Sequence, residues 1–192
     1  MNYLDLIIEG YNCEAKKIPQ IHKERGGGKA RSASGVLFEN LIQEICLHHN
    51  LVAKKNDYKK SREILGCSVN NLQVDKHIYR NLELSKFLES KAYLDACYLK
   101  RAVLDFIMLH ESPDVSDEVD YAILCGQDSV SKDTINYCVA FFKDKTNKDL
   151  DIFVINKVKK RNSSKAIYME KYSDDFQLDI DEVNRFVRWL NK

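Results

Sequence analysis

Two strand-like runs followed directly by a helical one constrain this chain more than any other feature. The segment from Leu72 to Tyr79 and the segment Phe87-Leu88-Glu89-Ser90-Lys91-Ala92-Tyr93-Leu94 read as strands, joined by a hairpin through Arg80 to Ser85. Beyond Leu94 the apolar residues Ala96, Leu99, Ala102, Val103, Phe106 and Ile107 recur at helical spacing and stop before Pro113. In an extended segment side chains alternate between faces, so Phe87, Glu89, Lys91 and Tyr93 point the same way. Folding the hairpin brings Asp75 within reach of Glu89, and two carboxylates and an ammonium gather at one spot.

Such a cluster is poor packing material. Two like charges about 4 Å apart repel by roughly 4 kcal/mol at an effective dielectric of about 20. A divalent, oxygen-seeking ion such as Mg2+ would relieve the repulsion, since it takes one or two protein carboxylates and leaves its other positions to water or phosphate. Together with a lysine it can generate a nucleophilic water and stabilise charge on a phosphodiester. The same three residues also read as the exposed face of an ordinary hairpin, where ion pairs are worth little. In a chain that is 31% charged, that second reading stays open.

The surrounding order narrows the choice. After Ser34-Gly35-Val36 the segment Leu37 to Leu47 has apolar residues at three- and four-residue spacing and carries Glu39 and Glu44. Ser61 to Gly66 reads as a short helix closed by glycine. Val119 to Cys125 is a compact apolar run suited to a central strand, Ser131 to Phe142 reads as a helix and Asp151 to Val158 as a strand. Asp179 to Leu190 is an amphipathic helix with acids in its first turn. The expected fold is α/β, a central mixed sheet flanked by helices.

Carried on these residues, Asp75 followed by Glu89-Ser90-Lys91 after a Glu39-bearing helix, the chain resembles the PD-(D/E)XK nuclease superfamily, with Val74 standing where the signature has proline. The resemblance covers the middle of the chain and implies a restriction-endonuclease-like core. It implies Asp75 and Glu89 as metal ligands, Lys91 as the lysine that assists the attacking water, and Glu39 as the helix glutamate that completes the site, with Glu44 a weaker substitute. The implied cofactor is Mg2+, for which Mn2+ can substitute.

A chain of 192 residues with 44% hydrophobic content and no Pro/Gly/Ser-rich linker is expected to form one domain over residues 1–192. Its six cysteines lack the paired spacing of a zinc site and read as buried free thiols of a reducing, cytoplasmic compartment. No apolar run reaches membrane length, and Asp5 and Glu9 argue against a leader peptide. A net charge of +1 requires any nucleic-acid contact to rest on local basic clusters.

Two clusters stand out. The glycine-rich stretch from His22 to Ser34 reads as a loop in which Lys23, Arg25, Lys29 and Arg31 meet DNA phosphates or base edges, or else as a solvated loop with solubilising charge. The run from Lys157 to Lys165 reads as a basic turn after a strand. Lys100 and Arg101, on the exposed flank of the helix after Leu94, are further candidate phosphate contacts, and Tyr98 reads as half-buried packing. Asp95 is placed to cap that helix. The combined reading is a type II restriction endonuclease acting as a homodimer on double-stranded DNA. Its alternatives are a Holliday junction resolvase or repair endonuclease of the same superfamily, and a non-catalytic nucleic-acid-binding α/β domain.

Overall fold

The computed structural model describes residues 3–55, 62–64, 67–69, 74–128, 130–155 and 178–192. Two helices lead, α1 (Tyr3–Ala15) and the long α2 (Ile18–His48), followed by the strands β1 (Val52–Lys54), β2 (Arg62–Ile64), β3 (Cys67–Val69), β4 (Lys76–Arg80) and β5 (Glu83–Leu94). Helix α3 (Ala96–His110), strand β6 (Asp120–Asp128), helix α4 (Lys132–Thr146), strand β7 (Leu150–Val154) and helix α5 (Ile180–Leu190) complete the order.

Five strands form one mixed sheet in the order β1-β4-β5-β6-β7. The β1–β4 and β4–β5 pairs are antiparallel, while β5–β6 and β6–β7 are parallel across the α3 and α4 crossovers. Strands β2 and β3 pair with each other in a separate small ribbon. This is the expected mixed sheet with helices on both faces, a restriction-endonuclease-like α/β fold.

Each face has its own core. One gathers Ile8 and Tyr11 of α1, Phe38, Ile42 and Ile45 of α2, Phe186 and Trp189 of α5, and Leu88, Leu124 and Phe153 from the sheet. The other gathers Leu99, Val103 and Phe106 of α3, Phe142 of α4, and Phe87, Tyr121, Ile123 and Cys125. Strand β6 therefore sends Tyr121, Ile123 and Cys125 one way and Ala122 and Leu124 the other, which is why a centrally placed parallel strand reads as continuous apolar sequence. Arg80 extends this packing to the C-terminal helix by donating to the Leu190 carbonyl at 2.7 Å.

The β4–β5 hairpin turns on Asn81 and Leu82, both at positive φ (51° and 70°), as a two-residue type I′ connection requires. Ile78 pairs with Lys86 but Tyr79 with Leu84, so Ser85 is an extra residue on β5. The Ser85 hydroxyl donates to the Ile78 carbonyl at 3.1 Å. Such a bulge lets Leu84 and Phe87, three residues apart, both join the α3-side core.

Three sequence expectations are corrected. The stretch from His22 to Ser34 is helical, not a loop, apart from a break at Gly26 (φ 79°, ψ 169°) inside α2. The helix continues because Ala30 and Ser34, one turn apart, are buried on the stripe that Phe38 and Ile42 extend, and packing overrides the low propensity of three glycines. The segment read as a short helix from Ser61 contains strand β2 instead. Cys13 and Cys97 are exposed free thiols, in contrast to the buried Cys46, Cys125 and Cys138. Helix α1 was not anticipated at all. The basic run from Lys157 to Lys165 lies outside the described residues.

Candidate active site

Register places the first two groups. Lys76 pairs with Leu88 and His77 with Phe87, so continuing the antiparallel ladder by one residue sets Asp75 opposite Glu89. The Asp75 amide donates to Glu89 Oε2 at 3.2 Å. In return Asp75 Oδ2 accepts from the Ser90 amide at 3.1 Å and from the Ser90 hydroxyl at 3.2 Å. Val74, buried in the α3-side core, anchors the chain just before the turn into β4.

Lys91 closes the group. Its ammonium lies 3.1 Å from Asp75 Oδ2 and 3.0 Å from Glu89 Oε1. Burial alone would lower its pKa, but the charges and hydrogen bonds of Glu89 and Asp75 outweigh it and the net shift is upward. Lys91 is therefore a firmly charged ammonium, suited to stabilising negative charge and to holding a water oxygen, and not to taking a proton. Burial pushes the Glu89 carboxyl up; the neighbouring Asp75 charge adds to this, and Lys91 opposes both. Two half-buried carboxylates of which one resists ionisation form a site that an added cation would stabilise.

The donor set suits a hard divalent ion. Among the described residues the bonds to Asp75 converge on Oδ2, and the oxygens gathered with it are those of the Glu89 carboxylate and the Ser90 hydroxyl, with neither thiol nor imidazole bonded to them. Two carboxylates match what Mg2+ ordinarily takes from a protein when phosphate and water supply the rest.

Glu39 has a partner of its own. It is held by Lys55, whose ammonium lies 2.9 Å from both of its oxygens. Among the described residues no three acidic, His or Cys side chains are gathered closely enough to hold a metal, so Glu39 does not complete a trio with Asp75 and Glu89 here. Glu44 accepts a long hydrogen bond from Tyr3 at 3.5 Å. Of the proposed DNA contacts, Lys23, Arg25 and Lys29 are exposed on α2 around the Gly26 break.

Helix α3 supplies neighbours to the cluster; the sequence marks Asp95, Tyr98 and Arg101 among them but not Asp105. Asp95 caps the helix, accepting from the Cys97 and Tyr98 amides at 2.8 and 2.9 Å. Tyr98 is 45% exposed and lies under Lys91, whose ammonium is 5.6 Å from the ring centre. It is thus part of the site wall and not half-buried packing. One to two turns on, Asp105 is raised in pKa by burial, against the opposing charges of Arg101 and Lys91. The i, i+3, i+7 spacing of Tyr98, Arg101 and Asp105 was the available signal.

Two solved structures share this fold along the whole chain. NucC of P. aeruginosa ATCC27853, in a cAAA-bound form, superposes with a TM-score of 0.52 at 11% identity, covering 100% of this chain and 99% of that one. NucC of E. coli MS115-1, also cAAA-bound, gives a TM-score of 0.54 at 10% identity, covering 100% and 90%. No family model and no curated protein matches the sequence. Among the described residues no helix is long and apolar enough to cross a membrane.

Proposed function

We propose that this chain is a divalent-metal-dependent endonuclease that hydrolyses phosphodiester bonds in double-stranded DNA. The observation that carries the reading is the convergence of Asp75, Glu89 and Lys91 within hydrogen-bonding distance on adjacent strands. Asp75 and Glu89 would hold the metal, Mg2+ or Mn2+ in its place. When bound, such an ion lowers the pKa of a water and offsets charge on the phosphoryl group.

The protein's own residues do the rest. Ser90 fixes the Asp75 carboxylate through Oδ2. The paired backbone-to-carboxylate bonds hold both acids on the sheet, where preorganisation costs least. Lys91, kept protonated, places a positive charge where a non-bridging phosphate oxygen and the attacking water would lie. Glu39 would serve as a third ligand by leaving Lys55. Lys23, Arg25, Lys29 and Arg31 would track the DNA backbone from the N-terminal half of α2.

Two forms of this activity are distinguished by one digest. In the first, the protein is a type II restriction enzyme, a homodimer cutting at fixed sites. In the second, cutting is switched on by a cyclic oligonucleotide, which the two cAAA-bound structures of like fold favour. Plasmid DNA with Mg2+ is incubated with and without cyclic triadenylate. Discrete fragments without effector support the first form, and degradation dependent on effector supports the second. No cleavage under either condition, by folded protein, would overturn the nuclease reading.

A further inference from the structure

Helix α3 begins directly after β5 and brings Tyr98 of its first turn to the Asp75–Glu89–Lys91 cluster. Tyr98 lies beneath the Lys91 ammonium. Arg101, three residues after Tyr98, lies on the same flank of the helix and pairs with Asp105, Nε to Oδ2 at 3.5 Å. The Arg101 side chain is 65% exposed while that of Asp105 is 19% exposed. An i, i+4 pair whose arginine is largely exposed is worth about 0.3–0.5 kcal/mol, too little to hold the guanidinium against a competing phosphate.

The charge balance is more informative. Among the described residues of the cluster and the adjoining helix flank, the carboxylates of Asp75, Glu89 and Asp105 accompany the cations Lys91 and Arg101, a net charge of minus one when all five are ionised. One divalent ion would turn that into one net positive charge, the complement of a single phosphodiester. Lys91 is held by two carboxylates, whereas the Arg101 side chain is largely exposed and, among the described residues, pairs with Asp105 at 3.5 Å; a guanidinium so placed can grip a phosphate with two parallel hydrogen bonds.

Resting on the nuclease reading, we infer that Arg101 is the clamp for a DNA phosphate flanking the scissile one, and that Asp105 is its positioning residue. Before DNA binds, Asp105 parks the guanidinium beside the cluster; on binding, the phosphate takes its place. Tyr98 forms the wall along which the strand passes.

Duplex affinity measured by fluorescence anisotropy at several salt concentrations, in an Asp75→Asn background that prevents cutting, tests this. Arg101→Ala should weaken binding about tenfold and reduce the log–log salt slope by about 0.9, the value for one phosphate contact. Arg101→Lys should recover most of the slope. Asp105→Asn should change affinity in the parent but not in the Arg101→Ala background, since the two act through one group. Arg101→Ala binding with unchanged affinity and slope would overturn the inference, as would a parent that does not bind duplex DNA. Digestion by the wild type is scored separately. If it cuts DNA while Arg101 proves inert, only the clamp fails; if it never cuts but binding still depends on Arg101, the phosphate contact stands while the nuclease reading, and with it the place of that phosphate beside a scissile one, fails.

Discussion

Asp75 sits directly across the β4–β5 ladder from Glu89, its amide 3.2 Å from Glu89 Oε2. This single cross-strand relationship holds the two acids at a separation that costs energy unless a cation lies between them. In the metal-free protein that cation is Lys91, bound to both.

Removing Lys91 should therefore have two effects. Lys91→Met leaves two half-buried carboxylates without their counter-charge, which should cost about 1–3 kcal/mol of stability in the absence of metal. Freed of the competing ammonium, the two acids should also bind Mg2+ more tightly than in the wild type; since ligand at 100 times its dissociation constant adds about 2.7 kcal/mol, the thermal midpoint of the variant should rise at lower Mg2+ concentration than that of the wild type. Differential scanning calorimetry over a Mg2+ series checks this, and equal responses would contradict it.

Glu89 gives a pH signature with a definite sign. Its carboxyl is raised above the ordinary glutamate value by burial first and the Asp75 charge second. A raised folded-state pKa contributes stability that is fully present below the unfolded value and is lost as pH rises through the folded one. Without metal, the wild type should thus gain stability relative to Glu89→Gln as pH falls from about 7 to about 4. The same protonation blocks metal binding, so cleavage should decline over that window. Urea unfolding of both proteins across it would show diverging midpoints; parallel ones contradict the assignment.

The proposed role of Glu39 requires it to give up Lys55. If it does so, Glu39→Gln weakens the metal dependence of cleavage by about tenfold or more. If it does not, the variant loses only a surface pair worth under about 1 kcal/mol. The Mg2+ concentration for half-maximal cleavage separates the two.

Three consecutive glycines in a long helix invite a stability test. Gly26 stands at φ 79°, and a side chain there would be strained. At Gly28 an added Cβ meets nothing within 4 Å. Gly28→Ala should stabilise the protein by about 0.5–1 kcal/mol. A simultaneous loss of duplex affinity would mark this helix face as one that DNA approaches closely, and unchanged affinity would argue against the contacts proposed for Lys23, Arg25 and Lys29.

Much of this arrangement is legible in the sequence, for reasons that can be named. Alternation along Phe87 to Leu94 puts Glu89 and Lys91 on one face, and the shift to helical spacing after Asp95 marks the start of α3. The Ser85 bulge is not legible, because its extra residue changes the pairing without changing the local apolar pattern. The helical state of the glycine-rich stretch is hidden as well: local propensity favours a loop, while the buried small residues Ala30 and Ser34 pack against a core assembled from distant segments. Helix α1 is legible in Leu4, Ile8, Tyr11 and Ala15 at helical spacing, all of which join the core. The place of Glu39 depends on Lys55, sixteen residues away, and no local pattern encodes that pair.

The central claim is that Asp75 and Glu89 together hold a catalytic metal. Plasmid cleavage with Mg2+, with and without cyclic triadenylate, should be lost by at least about 100-fold in Asp75→Asn and in Glu89→Gln, while duplex binding by the same folded proteins stays within about threefold of the wild type. Cleavage by either variant at the wild-type rate would contradict the account.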